Sequence, residues 1–294
     1  MAAMYKEHYF QTDDGLKLYL RDYQAKNWSH ELLPVICLPG LSRNSRDFDK
    51  LAHALSHEFD DNYRVVTLDS RGRGNSDWDE NKKNYNIIRE AKDVLLAMEY
   101  LGIPKAHFIG TSRGGLILHI LATMKLSALA SIVFNDVGPK IELNGLLEIQ
   151  DYLSKARMPR NWSDAAHLQQ MVHGQEFTEL TDADWLDMAR EIYIEKDGVI
   201  KPDFDTAVVD SIKMLDETTD LPTMWDHFSL LKDIPVISIR GENSTLFSDE
   251  TLQLMDKRHP QHTAITVANQ GHPPLLQSGE LPVQIYQFLK AVKK

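Results

Sequence analysis

Hydrophobic positions change period several times along the chain, and each change marks a different element. From residue 7 to residue 23 apolar and polar residues alternate around Asp13-Asp14-Gly15, with Leu16, Leu18 and Leu20 on one side, a pattern that predicts an N-terminal β-hairpin. Beyond it, short β-branched and apolar runs recur at 34–38, 64–68, 107–109, 131–134, 236–239 and 264–267. Helical segments separate them. Runs of this kind alternating with helices predict a mostly parallel sheet covered on both faces, hence an α/β fold.

The clearest helix spans 87–101, where Ile87, Ala91, Val94, Leu95, Met98 and Leu101 keep a 3.6-residue spacing and Gly102 and Pro104 end it. A second, 114–124, is apolar nearly all round and is expected in the interior. Between 138 and 231 strand signals vanish, and polar helical stretches carry Trp162, Trp185, Trp225, Phe177, Tyr193 and Phe204. This reads as a helical insertion whose aromatics form a small core, line a substrate cleft, or do both. Sheet pattern resumes at Pro235, and an amphipathic helix over 283–292 ends the chain. The expected division is a core of 1–137 and 232–294 with a helical cap, or lid, at 138–231.

Composition narrows the function. With 43% apolar and 26% charged residues the chain is ordinary globular material, and a net charge of -11 argues against a nucleic-acid partner, which needs clustered Lys and Arg. The single cysteine, Cys37, lies in an apolar run and reads as a small core hydrophobe, which suits a reducing compartment. Residues 1–8 lack the apolar run of a secretory signal and nowhere do 18 apolar residues stand together, so a cytoplasmic protein without a membrane partner is expected. The sequence carries no sign of oligomeric state.

Candidate chemistry centres on Gly110-Thr111-Ser112-Arg113-Gly114. It follows one strand signal and opens the apolar helix, and a strand turning directly into a helix forces its middle residue into strained dihedrals while flanking glycines relieve clashes. Ser112 would stand at the helix N-terminus, where dipole and free N–H groups favour the negative charge that builds up in acyl transfer. A plain Gly-Ser turn with a helix cap is the simpler alternative. A serine nucleophile needs a base, and of twelve histidines His272 stands out, because it follows the last strand signal on a loop, in Asn269-Gln270-Gly271-His272-Pro273. His53 and His57 have helical spacing but no third ligand, so no metal is expected. Arg43 reads as a solvated charge or a structural partner.

Four segments in order resemble the α/β-hydrolase family. Leu38-Pro39-Gly40-Leu41 is similar to its oxyanion loop, with Pro39 where His is usual; Asp69-Ser70-Arg71-Gly72-Arg73-Gly74-Asn75-Ser76 resembles its Asp-x-Arg-Gly-x-Gly-x-Ser segment; Gly110 to Gly114 resembles the nucleophile elbow, and Gly271-His272 the site of the base. The resemblance implies an eight-stranded, mostly parallel sheet with a helical cap after the sixth strand, and an oxyanion hole made by the backbone N–H groups of Leu41 and Arg113. It leaves the acid open. The family's usual place, after the seventh strand, reads Gly241-Glu242-Asn243-Ser244-Thr245, without aspartate. Asp136, after the sixth strand, is the favoured substitute, although Asn135-Asp136-Val137-Gly138-Pro139 also suits a simple turn; Glu242 and Asp249 are the alternatives, the latter explained equally by the start of a helix. The expected function is cofactor-free hydrolysis of a small-molecule carboxylic ester, thioester or lactone through an acyl-enzyme at Ser112. Carbon-carbon bond hydrolysis or perhydrolysis by the same three residues, and a binding protein that has lost catalysis, are the rival readings.

Overall fold

The computed structural model of the chain describes residues 4–25, 32–155 and 157–292; of the segment read above for a secretory signal, residues 1–3 lie outside them. Strands β1 (Lys6–Gln11) and β2 (Lys17–Tyr23) form the expected hairpin, followed by β3 (Val35–Leu38), α1 (Asp49–His57), β4 (Val65–Leu68), α2 (Ile87–Tyr100), β5 (Ala106–Thr111), α3 (Arg113–Lys125) and β6 (Leu129–Asn135). After β6 come α4 (Leu143–Lys155), α5 (Trp162–His173), α6 (Asp182–Ile192), β7 (Tyr193–Lys196), β8 (Val199–Pro202), α7 (Asp210–Lys213) and α8 (Trp225–Ser229). The chain then returns through β9 (Val236–Gly241), α9 (Asp249–Arg258), β10 (His262–Val267) and α10 (Leu281–Ala291).

Eight strands form one sheet in the order β1-β2-β4-β3-β5-β6-β9-β10, parallel except where β2 meets β1 and β4. From β3 the chain moves to β4 on one side and then crosses to β5 on the other. The sheet therefore reverses its winding between β3 and β5, the point at which open α/β sheets gather their ligand-facing loops. Because side chains alternate across a strand, each central strand feeds two cores. Ile36, Leu38, Phe108 and Phe134 pack with α2, α3 and α9, while Val35, Cys37, Ile109 and Ile237 pack with α1 and α10. Helix α3 is enclosed, as its uniformly apolar surface demands: Ile117, Leu118 and Leu121 are all buried. Cys37 is buried among apolar neighbours, which pushes its thiol pKa up. No helix among the described residues is long and apolar enough to cross a membrane.

The segment between β6 and β9 corrects one expectation. It is not wholly helical, because β7 and β8 pair antiparallel across Asp197-Gly198, both at positive φ (55° and 74°), as a two-residue hairpin turn requires. Flanking pairs such as Ile194 with Lys201 and Glu195 with Ile200 extend the ladder. This Asp-Gly signal lay in the sequence, hidden by the polar helices around it. Phe177 and Trp185 pack with Met188, and Tyr193 with Ala165, Ala189 and Ile200, as small cores of this segment. Trp225 does not join them. It packs beside Phe228 against the main core, where α8 lies on α3.

Two buried histidines link this packing to pH. His119 on α3 stacks on Phe134 with ring centroids 4.7 Å apart, and its Nδ1 donates to the Gly115 carbonyl at 2.9 Å. His107 on β5 bonds Ser131 through Nδ1 at 2.8 Å. Burial pushes both down to about 4 from the ordinary 6.5. Between those values the unfolded chain binds protons that the native protein refuses, so stability falls on acidification through that window, by about 1.4 kcal/mol per pH unit for each ring. In urea titrations from pH 7 to pH 4, His119→Gln is expected to flatten the acid-side decline of unfolding free energy by about 1 kcal/mol per pH unit. An unchanged slope would show that the buried ring is not the titrating group.

Candidate active site

Ser112 is the single residue between β5 and α3, with φ 51° and ψ -116°, a conformation that side chains rarely adopt and that the surroundings must impose. Its flanking glycines are required by close approach. A Cβ on Gly114 would stand 2.1 Å from the Leu38 carbonyl oxygen, and one on Gly110 would stand 2.7 Å from the Gly115 nitrogen. Helix α3 thus sits hard against the ends of β3 and β5, and its first turn is anchored by Ser112, whose carbonyl accepts from Gly115 N–H at 2.9 Å while its own N–H donates to Asn135 O at 2.9 Å.

His272, on the loop after β10, reaches Ser112 Oγ through Nε2 at 2.9 Å and Asp136 Oδ2 through Nδ1 at 2.7 Å. A carboxylate only accepts, so Nδ1 carries the hydrogen and Nε2 is left with a lone pair facing the serine hydroxyl. Asp136 follows β6 at φ 54° with no exposed surface, its N–H donating to Ile239 O at 2.7 Å. Its carboxylate also accepts from Gly241 N–H at 2.8 Å and from the Ser244 hydroxyl. The other candidates point elsewhere. Glu242 accepts from Asn269 N–H at 3.1 Å, Asp249 lies in the first turn of α9 behind its Ser248 cap, and Thr245 donates to Glu148 at 2.6 Å. Ser244 escaped the sequence reading: in the stretch where the acid was sought stands a hydroxyl that holds Asp136, an arrangement only the paired ends of β6 and β9 reveal.

Leu41 and Arg113 flank the serine from two loops. The Gly40 carbonyl accepts from Arg43 N–H at 3.3 Å, and a trans peptide then directs the Leu41 N–H the opposite way. Gly40 lies beside Ser112, since a Cβ there would stand 3.8 Å from Ser112 Cβ. Arg113 opens α3, so its N–H has no carbonyl within the helix to bond. Among the described residues neither N–H has an acceptor. Pro39 lacks an N–H of its own but leaves those of Leu41 and Arg113 in place.

Above these residues opens a cavity of about 1210 Å³, walled by the core on one side and by α4, α5 and α6 on the other, with Tyr152, Phe177, Met188 and Phe204 in its lining. Two of its charged groups were not anticipated. Glu176, between α5 and α6, accepts from His272 N–H through Oε2 at 3.2 Å, and its pKa is raised by burial. Glu191, at the end of α6, is pushed up to about 8, first by burial and then by the charge of Asp47. Arg43 is a structural partner, bonding Asp47 at 2.8 Å and Glu191 at 3.1 Å. His173, at the end of α5, is lowered to about 4, by burial and then by Arg43.

Comparison with known proteins shows the family. Residues 34–278 match the family model described as alpha/beta hydrolase fold. A 3-hydroxybutyrate-oligomer hydrolase of Cupriavidus necator is 28% identical over 254 residues, 82% of either chain, and an esterase of Escherichia coli is 23% identical over 87% of this chain and 92% of its own. The crystal structure of an alpha/beta hydrolase from Novosphingobium aromaticivorans superposes with a TM-score of 0.90 at 32% identity, covering 99% of both chains.

The elbow's packing predicts a steep response to a single methyl group. Gly114→Ala must separate α3 from Leu38, and overpacking of this kind is expected to lower the unfolding free energy by about 1–3 kcal/mol. A urea midpoint equal to wild type would show that the helix start has room after all.

Proposed function

The chain belongs to the α/β-hydrolase fold family, and on that premise we propose that it is a cofactor-free serine hydrolase of carboxylic esters, working through an acyl-enzyme. The observation that carries this reading is the unbroken chain from Ser112 Oγ through His272 to buried Asp136. Ser112 Oγ attacks the ester carbonyl carbon as His272 Nε2 takes its proton. The oxyanion is held by the N–H groups of Leu41 and Arg113, and Asp136 fixes the imidazole tautomer and stabilises its cation. The tetrahedral adduct collapses, the C–O bond to the leaving alcohol breaks, and His272 returns the proton to that alcohol. Water, deprotonated by the same imidazole, then attacks the acyl-enzyme, releasing the acid and restoring Ser112.

With Asp136 at the imidazole, the threonine at position 245 ceases to favour a binding protein. We read 138–231 as a cap, because α4, α5 and α6 line the cavity over Ser112. The cavity is larger than the several hundred Å³ that one small ester needs. A linear oligoester of a short hydroxy acid would fill it, a substrate class that the relative acting on 3-hydroxybutyrate oligomers supports.

Three measurements test this. Wild-type protein is expected to form a covalent adduct at Ser112 with a fluorophosphonate and to hydrolyse p-nitrophenyl butyrate, and Ser112→Ala is expected to abolish both; wild-type turnover by the variant would refute the mechanism. Asp136→Asn is expected to lower kcat by about 10³–10⁴-fold through loss of the imidazole tautomer, and a loss under about tenfold would remove Asp136 from the role of acid. Chromatography of products from 3-hydroxybutyrate dimers and trimers is expected to show Ser112-dependent cleavage; intact oligomers beside rapid p-nitrophenyl butyrate turnover would confine the enzyme to simple esters.

A further inference from the structure

We propose that Glu90 of α2 is a positioning residue that fastens both arms of the oxyanion hole to one buried carboxylate, an inference that rests on the serine-hydrolase reading above. Glu90 is almost fully buried. Its Oε1 accepts from Arg73 Nη1 at 2.8 Å and from Arg113 Nη2 at 3.0 Å, and its Oε2 accepts from Arg113 Nε at 2.7 Å. Each guanidinium belongs to one arm. Arg73 Nε donates to the Leu41 carbonyl at 2.8 Å, holding the residue that follows Gly40 beside Ser112. Arg113 supplies the second N–H from its own backbone, and its Nη2 also bonds Tyr85 O at 3.1 Å.

The two arms start on different loops, one after β3 and one at the start of α3. Between them an oxyanion needs two donors at fixed separation, about 2.7–3.1 Å from one oxygen. Backbone alone fixes each peptide plane within its own loop. Glu90 adds the cross-link, by charge-assisted bonds that are stronger and more directional than neutral ones. Burial opposes ionisation of Glu90, but Arg113 and Arg73 outweigh it and hold the carboxyl below its ordinary range, so it is charged wherever the enzyme would be assayed. The trio carries one net positive charge, the sign that favours an oxyanion, which makes two explanations separable. If the group acts only through charge, neutralising Glu90 makes the surroundings more positive and does not slow the reaction. If Glu90 positions the donors, neutralising it slows the reaction.

Glu90→Gln tests this directly but leaves two guanidiniums without a counter-ion, one of them on fully buried Arg73. Arg113→Met is the second variant: it leaves the Arg73–Glu90 pair neutral and cuts the link to the helix arm, and because it also removes the trio's net positive charge it is read beside Arg113→Lys, which keeps that charge. Both are expected to lower kcat on p-nitrophenyl butyrate by about 10–100-fold, a fraction of what loss of a whole oxyanion donor costs, with KM within about threefold. Affinity for a trifluoromethyl ketone, which forms the tetrahedral oxyanion with Ser112, is expected to fall in parallel with kcat. Affinity for the corresponding secondary alcohol, which forms none, is expected to stay unchanged. Arg113→Lys, which restores the whole charge but only one contact to Glu90, is expected to recover part of the loss; full recovery would mark a role of charge alone and overturn the inference, as would a folded Glu90→Gln protein with wild-type kcat. A folded Arg113→Met protein with wild-type kcat and ketone affinity would overturn the inference, whatever becomes of Glu90→Gln. Equal losses for ketone and alcohol would also overturn it, by marking general disruption. Should wild-type protein show neither ester turnover nor labelling at Ser112, the hydrolase reading falls and the clamp with it; active wild type beside an unimpaired Arg113→Met protein removes the clamp alone.

Discussion

Helix α3 begins one residue after β5 ends, and the rest of the site is arranged around that shortness. To start there, the helix must lie against the carbonyl of Leu38 at the tip of β3, which admits only glycine at 114 and drives Ser112 into its strained backbone. The same contact brings the loop after β3 to the helix start, so Gly40 and Leu41 come beside the serine without any long-range bond being required to find them. The reversal of winding between β3 and β5 supplies the opening, and the tight elbow sets Ser112 within it.

Buried charges tie the surrounding loops to one another. Asp69 ties the loop after β4 to the loop after β3, accepting from Ser45 N–H at 2.7 Å and from Asn75 N–H at 2.8 Å. Arg71, without exposed surface, is shared among Asp14, Asp79 and Asp93, linking the N-terminal hairpin to α2. Arg43 stands between Asp47 and Glu191, and Arg46 bonds Asp203 at 2.6 Å, both joining the core to the segment between β6 and β9. Such pairs add little net stability over apolar packing, since desolvation offsets most of their attraction, but they penalise wrong registers heavily. Their placement across loops and between elements fits a role in holding geometry more than in adding free energy.

Features set by short stretches of chain were legible in the sequence. Every strand of the large sheet announced itself as an apolar or alternating run, and Ser112 was visible because a strand signal, two glycines and a helix signal adjoin. Asp136 and His272 could be picked out as loop residues after strands, but the preference for Asp136 over Glu242 and Asp249 rested on position alone. That choice turns on where β6 ends relative to β9, a matter of register across some hundred residues. Ser244, Glu176 and Glu90 were missed for the same reason. Each is an unremarked polar residue until the fold sets it against Asp136, His272 or the two arginines. The hairpin of β7 and β8 was a different failure, since Asp197-Gly198 carried its signal and the helical surroundings overrode it.

The meeting of Glu176 with the loop of His272 has a consequence for how sequences of this kind can drift. A Cβ on residue 271 would fall 2.0 Å from a Glu176 carboxylate oxygen and 2.4 Å from its Cβ, so the segment between α5 and α6 rests directly on the glycine backbone. Any larger residue at 271 demands a shorter one at 176, and any withdrawal at 176 strips the His272 N–H of its acceptor. The two positions, 95 apart in number, are therefore coupled in one direction: residue 271 cannot grow unless residue 176 retreats, and that retreat costs the loop of His272 a hydrogen bond.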